Sequence, residues 1–297
     1  MPRHRALQPD HLWGYLFITP QLIGFVLFVA MPLMNLVLFS LQDYSLLGNS
    51  RTFVGLSNYI EAFGNDPLFA KTFRNTLVFT AGLVPVNIIL ALLLAVMLDQ
   101  RFRGNLVFRT VFFVPVVTSA VAWSLVWRSI LQGQNGALNQ LLAIVNIVGP
   151  NWLRDETWAM ISVIIVRVFQ NVGMNMILFL TALANIPVEY REASSIDGAT
   201  RGQTFFRITV PLLAPTMLMV LMITVIGSLR VFDHILLLTA GGPNHSTMVL
   251  VYYVYYTAFR SFQPGYASVG ALVLFVTSLV LTLLQWSARK RIASVEV

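Results

Sequence analysis

Six long apolar stretches run through the 297-residue sequence and limit what it can fold into. A helix needs about 20 mostly apolar residues to cross the hydrocarbon core of a bilayer. The stretches reach or exceed that length, and they lie at about residues 12–41, 76–98, 106–127, 158–183, 209–232 and 266–286. Tryptophan and tyrosine lie near several of their ends, as in the aromatic belts of membrane proteins. The sequence therefore predicts an all-α, polytopic membrane protein with six transmembrane helices.

The scarcity of charge supports this prediction and excludes other classes of protein. Only 10% of the residues are charged and 57% are hydrophobic, against about 25% and about 45–50% in soluble domains. A soluble enzyme, a disordered chain and a fibrous repeat are excluded, and a single transmembrane domain over residues 1–297 is expected. The net charge is +7. In a membrane protein such an excess of basic residues usually lies in the cytoplasmic loops and does not indicate nucleic-acid binding.

The positions of lysine and arginine predict the orientation. If the N-terminus is cytoplasmic, 11 of the 19 basic residues lie on the inner side and 7 on the outer side, with Arg167 inside a span. Cytoplasmic loops carry the excess of basic residues. Both termini are therefore predicted to be cytoplasmic, in agreement with an even number of spans.

Two absences restrict the chemistry that this chain can perform. It has no cysteine, which excludes disulfides and thiolate metal sites. It has two lysines, Lys71 and Lys290, and neither lies in the Gly-Lys-Ser/Thr context of a phosphate-binding loop. No cofactor is expected on this chain, and any ATP hydrolysis that drives it must occur on another chain.

One inner connection, at residues 184–210, does not resemble a simple linker. Pro187 suits the first position of a helix, Glu189 suits its first turn, and Gly198 suits its end. These signals predict a short surface helix of about ten residues beneath the membrane. It could be an amphipathic interfacial helix, or a docking element that fits a groove on a cytoplasmic partner.

The residues of this connection carry a resemblance. The run Glu192–Ala199, followed by Pro211 and Pro215, resembles the coupling motif of binding-protein-dependent ABC importer permeases, with Ser194 in place of an alanine. The resemblance implies the ABC importer permease fold and contact with an ATPase. The residues to which it assigns this contact are Glu192, Ala193, Ser194, Asp197, Gly198 and Ala199.

Other segments resemble the F-type subunit of carbohydrate importers, as in the maltose and glycerol-phosphate systems. These segments are residues 53–59, 109–115, 232–235 and 238–243. The resemblance implies a second, G-type permease, two ATPase subunits that hold ATP and Mg, and an extracytoplasmic solute-binding protein. It also implies a multi-pass location in the cytoplasmic (inner) membrane of a bacterium or archaeon.

Polar residues near the middle of several spans predict a pathway for the solute. Such residues are expensive in lipid and tend to face a cavity, and transport sites lie near the bilayer midplane. Arg167, Gln170, Asn171 and Asn175 are spaced to share one face of span four. Hydrogen bonding between neighbouring helices is the alternative interpretation. The candidate residues are Asn87, Thr118, Ser119, Trp123, Arg167, Gln170, Asn171, Asn175 and Thr224.

The chemistry of these residues predicts a sugar or sugar-like solute. Amides and hydroxyls can bond sugar hydroxyls, and Trp123 and Phe169 can stack on sugar rings. Arg167 leaves a glycerol-phosphate or other polyol derivative as an alternative. An enzyme is disfavoured because no reacting pair can be assembled. An ion-coupled transporter is disfavoured because all 12 acidic residues lie in connections or at span edges.

Overall fold

The computed structural model of the protein describes residues 9–46, 48, 51–99 and 103–293. The chain divides into two compact units. The first comprises residues 1–65 and 254–272, and the second comprises residues 66–253 and 273–297.

The first unit begins with one long apolar helix. Helices α1 (Pro9–Phe25) and α2 (Met31–Ser40) are joined by the π-helical turn Val26–Ala30. A short antiparallel hairpin follows, with strand β1 (Gln42–Tyr44) paired to strand β2 (Arg51–Phe53), and then helix α3 (Ser57–Ile60). The side-chain amide of Asn58 donates to the carbonyl oxygens of Ser40 and Gln42 at 2.9 and 3.0 Å. These two bonds fix the hairpin to the end of α2. The sequence did not predict this hairpin.

The remaining helices make up most of the chain. In order they are α4 (Pro67–Leu98), α5 (Asn105–Val117), α6 (Ala120–Ile130), α7 (Ala137–Ile144), α8 (Glu156–Ala184), α9 (Val188–Ile196), α10 (Arg201–Thr204), α11 (Val210–Leu212), α12 (Ala214–Leu229), α13 (Asp233–Leu238), α14 (Leu250–Tyr255) and α15 (Pro264–Ala293). Further π-helical turns are Glu61–Asn65, Phe205–Thr209 and Tyr256–Arg260.

The two helices at the centre of the second unit begin at carboxylate caps. The Asp66 carboxylate accepts from the backbone N–H groups of Leu68 and Phe69, at 2.8 and 3.1 Å, directly before Pro67 opens α4. The Asp155 carboxylate caps α8 in the same way. An aspartate here satisfies backbone donors that a helix start leaves free, and its charge suits the positive end of the helix dipole.

The core of the second unit lies where α4 and α8 pack together, with α5 and α12 against them. Small side chains let the backbones approach, as in other membrane helix interfaces. Gly173 of α8 lies directly against the backbone of Phe112 in α5. Buried residues of this core include Ala91, Ala95, Leu98, Met176, Phe179, Leu183, Leu213 and Val220.

The predicted number of spans is confirmed if two bent helix pairs each count as one span. In the part of the chain that the structure describes, four unbroken helices are long and apolar enough to cross a membrane: Trp13–Ser40, Pro67–Leu98, Glu156–Ala184 and Pro264–Ser287. The third and fifth predicted spans are the pairs α5 and α6, bent by 104°, and Arg201–Leu212 with α12, bent by 66°. In the first pair Thr118 and Ser119 take extended backbone angles a turn after Pro115.

Candidate translocation and coupling sites

The predicted coupling residues form one compact, exposed projection, residues 188–204, which we call the coupling knob. Its first helix, α9, starts after Pro187, which has no N–H to leave unbonded. It ends at Ile196 and is capped by Asp197, and Gly198 follows at φ 75°, in the left-handed region that glycine occupies without strain. The backbone N–H of Ala199 then donates to the carbonyl oxygen of Ser194 at 2.9 Å. The short helix predicted within residues 184–210, and its end at glycine, are confirmed.

Hydrogen bonds fix the second half of the knob to the first. Thr200 and Gln203 form a capping box at the start of α10, with the Thr200 N–H donating to the Gln203 side-chain oxygen at 2.8 Å. The hydroxyl groups of Ser194 and Thr204 are 3.0 Å apart and share a hydrogen bond. Ser194 is buried, in contrast to the exposed residues around it. The serine that replaces the motif's alanine therefore joins α9 to α10.

The outer surface of the knob combines apolar and acidic side chains. Ile196 is 86% exposed, Val188 is more than half exposed and Tyr190 is half exposed. Glu192 and Asp197 are also exposed, and neither carboxylate makes a hydrogen bond or ion pair with any residue that the structure describes. A rigid helix with an apolar anchor and unpaired charges has the chemistry of an element that inserts into a partner's groove.

Three of the predicted pathway residues form a buried network between helices. The side-chain nitrogen of Asn175 in α8 donates to the Asn87 side-chain oxygen in α4 at 2.6 Å and to the Thr224 hydroxyl in α12 at 2.9 Å. Asn87 in turn donates to the carbonyl oxygen of Val168 at 3.3 Å. All three side chains are buried. In this structure they join three helices, as the alternative interpretation describes, and their place in a pathway stays a prediction.

Gln170 joins α8 to the break in the third span. Its side-chain nitrogen donates to the Thr118 carbonyl oxygen at 3.3 Å, and its oxygen accepts from the Arg167 guanidinium at 2.9 Å. The bend between α5 and α6 leaves that carbonyl without a continuing helix, and the amide supplies a partner. Ser119, the next residue, is exposed at the start of α6.

Asn171 and a group of aromatic rings are more open. Asn171 is half-buried, and its side-chain amide makes no hydrogen bond to the described part of the chain. Phe169, 50% exposed, lies 5.7 Å from the ring of Trp127, which lies 5.9 Å from that of Trp123. The Trp123 ring nitrogen donates to the Val166 carbonyl oxygen at 3.0 Å. Trp127 was not among the residues predicted from sequence, although its spacing of four residues from Trp123 places both on one helix face.

The charges near this region come from two elements. Arg167 is half-buried, and its Nε makes no hydrogen bond. Asp233, the first residue of α13, is close enough for electrostatic attraction to Arg167. Burial lowers the pKa of the neighbouring His234 to about 3, and the charge of Arg167 acts in the same direction. His234 is therefore neutral at physiological pH.

The chain is similar over most of its length to known transport-system proteins. The family model described as "Binding-protein-dependent transport system inner membrane component" matches residues 87–293. The probable ABC transporter permease protein YesP of Bacillus subtilis is 35% identical, over 96% of this chain and 92% of its own. The multiple sugar-binding transport system permease protein MsmF of Streptococcus mutans is 36% identical, over 94% of this chain and 96% of its own.

A solved structure shares the fold. A chain of a bacterial alginate ABC transporter, in complex with an alginate pentasaccharide-bound periplasmic protein, aligns with a TM-score of 0.83 at 22% identity. The alignment covers 96% of each chain. The resemblance seen in the coupling motif and the predicted permease fold are thereby confirmed. This protein belongs to the family of binding-protein-dependent transport system inner membrane components.

Proposed function

We propose that this chain forms half of the translocation pathway of an ABC importer for a sugar or sugar-like solute. As a member of its family it is a permease subunit and not an enzyme. The proposal assigns the other half of the pathway to a second, G-type permease. It assigns ATP and Mg to two ATPase subunits on the cytoplasmic side, and solute delivery to an extracytoplasmic binding protein.

The coupling knob is the observation that carries the proposal. Its apolar tip at Ile196 and its unpaired carboxylates at Glu192 and Asp197 are exposed, while hydrogen bonds hold its backbone rigid. Insertion of such a surface into a complementary groove has a favourable free energy, because burial removes apolar area from water and pairs the free charges. The knob directly follows α8, so movement of a bound ATPase would act on the helix that carries the candidate pathway residues.

The chemistry of the candidate pathway supports a sugar as the solute. The rings of Trp123, Trp127 and Phe169 offer flat apolar faces. Asn171, on the same helix as Phe169, offers a side-chain amide that bonds no described residue. MsmF is named as a sugar permease, and the alginate transporter handles a polysaccharide. The unbonded Nε of Arg167 favours a polyol phosphate as the second candidate, because a guanidinium binds phosphate well.

Reconstitution tests the function as a whole. The chain would be co-expressed with a second permease, the ATPase subunits and the binding protein, and placed in proteoliposomes. We expect uptake of a labelled sugar that requires both ATP and the binding protein. Omission of each component is the control. Uptake that continues without ATP and follows an ion gradient would contradict the proposal and support a secondary transporter.

Replacement of Asn171 by alanine tests the pathway. We expect sugar uptake to fall about three- to tenfold, because one hydrogen bond of about 0.5–1.5 kcal/mol to the solute is lost. Assembly should survive, since the Asn171 side chain bonds no other described residue. Thr181→Ala, an exposed change on the same helix, is the matched control. Normal uptake by the Asn171 variant in proteoliposomes would remove this residue from the pathway.

A further inference from the structure

A cavity of about 730 Å³ opens in the second unit at the end of α8 that is remote from the coupling knob. Its walls are the end of α6, the two loops that flank α7, and α13. Helix α8 has 29 residues, so the cavity and the knob are separated by about 43 Å of helix. The volume falls within the range of about 300–1,000 Å³ that small-molecule sites occupy.

The polar side chains that line the cavity are two guanidinium groups, four amides and two hydroxyls. They belong to Arg128, Ser129, Gln132, Gln134, Asn135, Asn151, Arg154 and Thr239. No aspartate, glutamate or lysine is among the described lining residues. Leucine side chains of α13 form an apolar wall. The cavity therefore combines positive charge without a counter-charge, amide donors and acceptors, and one apolar surface.

The walls are held in place by buried hydrogen bonds. Asn139 is buried, and its side-chain nitrogen donates to the carbonyl oxygens of Gly133 and Pro150 at 2.9 and 3.2 Å. Its side-chain oxygen accepts from the ring nitrogen of Trp152 at 2.7 Å. At Gly136 an added Cβ would lie only 2.6 Å from the Ile130 carbonyl oxygen. This single asparagine thus joins the loop before α7 to the loop before α8 and keeps the cavity open.

The two guanidinium groups differ in how much of their bonding capacity is used. Arg128 donates one bond, at 3.3 Å, to the Leu237 carbonyl oxygen, which orients it from the α6 side. The Arg154 backbone N–H donates to the Asn151 carbonyl oxygen at 3.0 Å, but its guanidinium makes no hydrogen bond or ion pair with the residues that the structure describes. Guanidinium groups present a planar fork of donors that matches an acidic group. The cavity thus offers a fixed cation and a free one.

We propose that this cavity binds an anionic sugar, with its acidic group at Arg128 and Arg154 and its hydroxyls at the amides. This inference rests on the proposed function and assigns the solute a class within it. A neutral sugar would leave both guanidinium groups without a counter-charge in the cavity. An acidic sugar pairs them through charge-assisted hydrogen bonds. The apolar wall of α13 suits the C–H face of the ring.

A single thiol inside the cavity tests this proposal. The chain has no cysteine, so Ser129→Cys places one thiol on this subunit beside Arg128. In the assembled importer in lipid nanodiscs, maleimide labelling of this subunit's gel band would be timed with galacturonate, galactose or inorganic phosphate. We expect galacturonate to slow labelling about fivefold and the other two to leave it unchanged, because only a sugar acid satisfies both guanidiniums and amides.

Two further variants separate the cavity from general charge effects. Arg154→Gln is expected to require about tenfold more galacturonate for the same protection, because a charge-assisted bond is lost. Arg74→Gln removes an exposed arginine of α4 that does not line the cavity, and it should leave protection unchanged.

Several outcomes would overturn the proposal, and they can be told apart from a failure of the proposed function. The proposal is overturned by absent protection in the wild-type background, by equal protection from galactose or phosphate, or by full protection in Arg154→Gln. It is also overturned if the thiol reacts in the isolated subunit and not in the complex, since a partner chain then fills the cavity. ATP-dependent uptake, measured on the same preparation, reports separately on the proposed function.

Discussion

Replacement of Glu192 by lysine is expected to separate ATP hydrolysis from solute uptake in the assembled importer. Glu192 is exposed and its carboxylate bonds no described residue of its own chain, so the change should not disturb the fold. At an interface, loss of a buried charge partner costs about 2–5 kcal/mol, or at least about 30-fold in affinity, and charge reversal adds repulsion. Co-purification of the ATPase, binding-protein-stimulated ATP hydrolysis and uptake would be measured together.

Glu189→Lys is the matched control for this prediction. It makes the same change of charge on an exposed residue of the same helix but lies outside the Glu192–Ala199 run, and it should retain coupling. Gly198→Trp should behave like Glu192→Lys, because φ 75° strains any residue with a side chain and the bulk enlarges the knob. Normal coupling in both Glu192→Lys and Gly198→Trp would show that the knob does not dock an ATPase.

Replacement of Gly173 by alanine is expected to destabilise the helical core strongly. A Cβ at this position would overlap the Phe112 carbonyl oxygen and lie 2.8 Å from its carbonyl carbon. These are backbone atoms of α5, so α5 and α8 must move apart, and overpacking of this kind costs about 1–3 kcal/mol or more. Thermal unfolding of the purified subunit in detergent, followed by tryptophan fluorescence, would measure the loss.

Gly227→Ala provides the control for a glycine within a helix. Gly227 lies in α12, and an added Cβ there would meet no atom within 4 Å. Alanine is favoured over glycine in a helix interior by about 0.5–1 kcal/mol, so this variant should be as stable as the wild type or more so. Equal melting temperatures for the Gly173 and Gly227 variants would contradict the close packing of α5 and α8.

The coupling helix was predictable from sequence because its signals are local. Pro187 removes a backbone donor where none is needed, and Gly198 takes a conformation that other residues avoid. These effects act within a few residues and leave a readable pattern. The apolar spans were predictable for a similar reason, since crossing a bilayer sets a minimum length.

The bend in the third span was not predictable in the same way. Apolar residues continue from α5 into α6, so a search by length and hydropathy finds one segment at residues 106–127. The direction changes at Thr118 and Ser119, and Gln170 bonds the freed carbonyl from a helix 52 residues away in sequence. Hydropathy reports which residues avoid water and carries no information on the direction of a helix.

The polar network between helices shows the same limit. Sequence spacing identified Asn87, Asn175 and Thr224 as polar groups within spans, and it left open whether water or another helix satisfies them. Asn175 meets partners 88 and 49 residues away, and the tertiary arrangement alone brings them together. Arg128 and Arg154 were counted from sequence only as outer charges, because loop residues show no periodicity that would place them in a common cavity.

Site-directed cross-linking from the tip of the coupling knob tests whether the knob docks on an ATPase. Because the chain lacks cysteine, Ile196→Cys can carry a photoreactive maleimide at a site that is 86% exposed in the isolated chain. Val148→Cys, at a 92% exposed position in the loop before α8, is the control. We expect the Ile196 probe to join this subunit to the ATPase and the Val148 probe not to do so. A fully assembled complex in which the Ile196 probe never reaches the ATPase would contradict this docking.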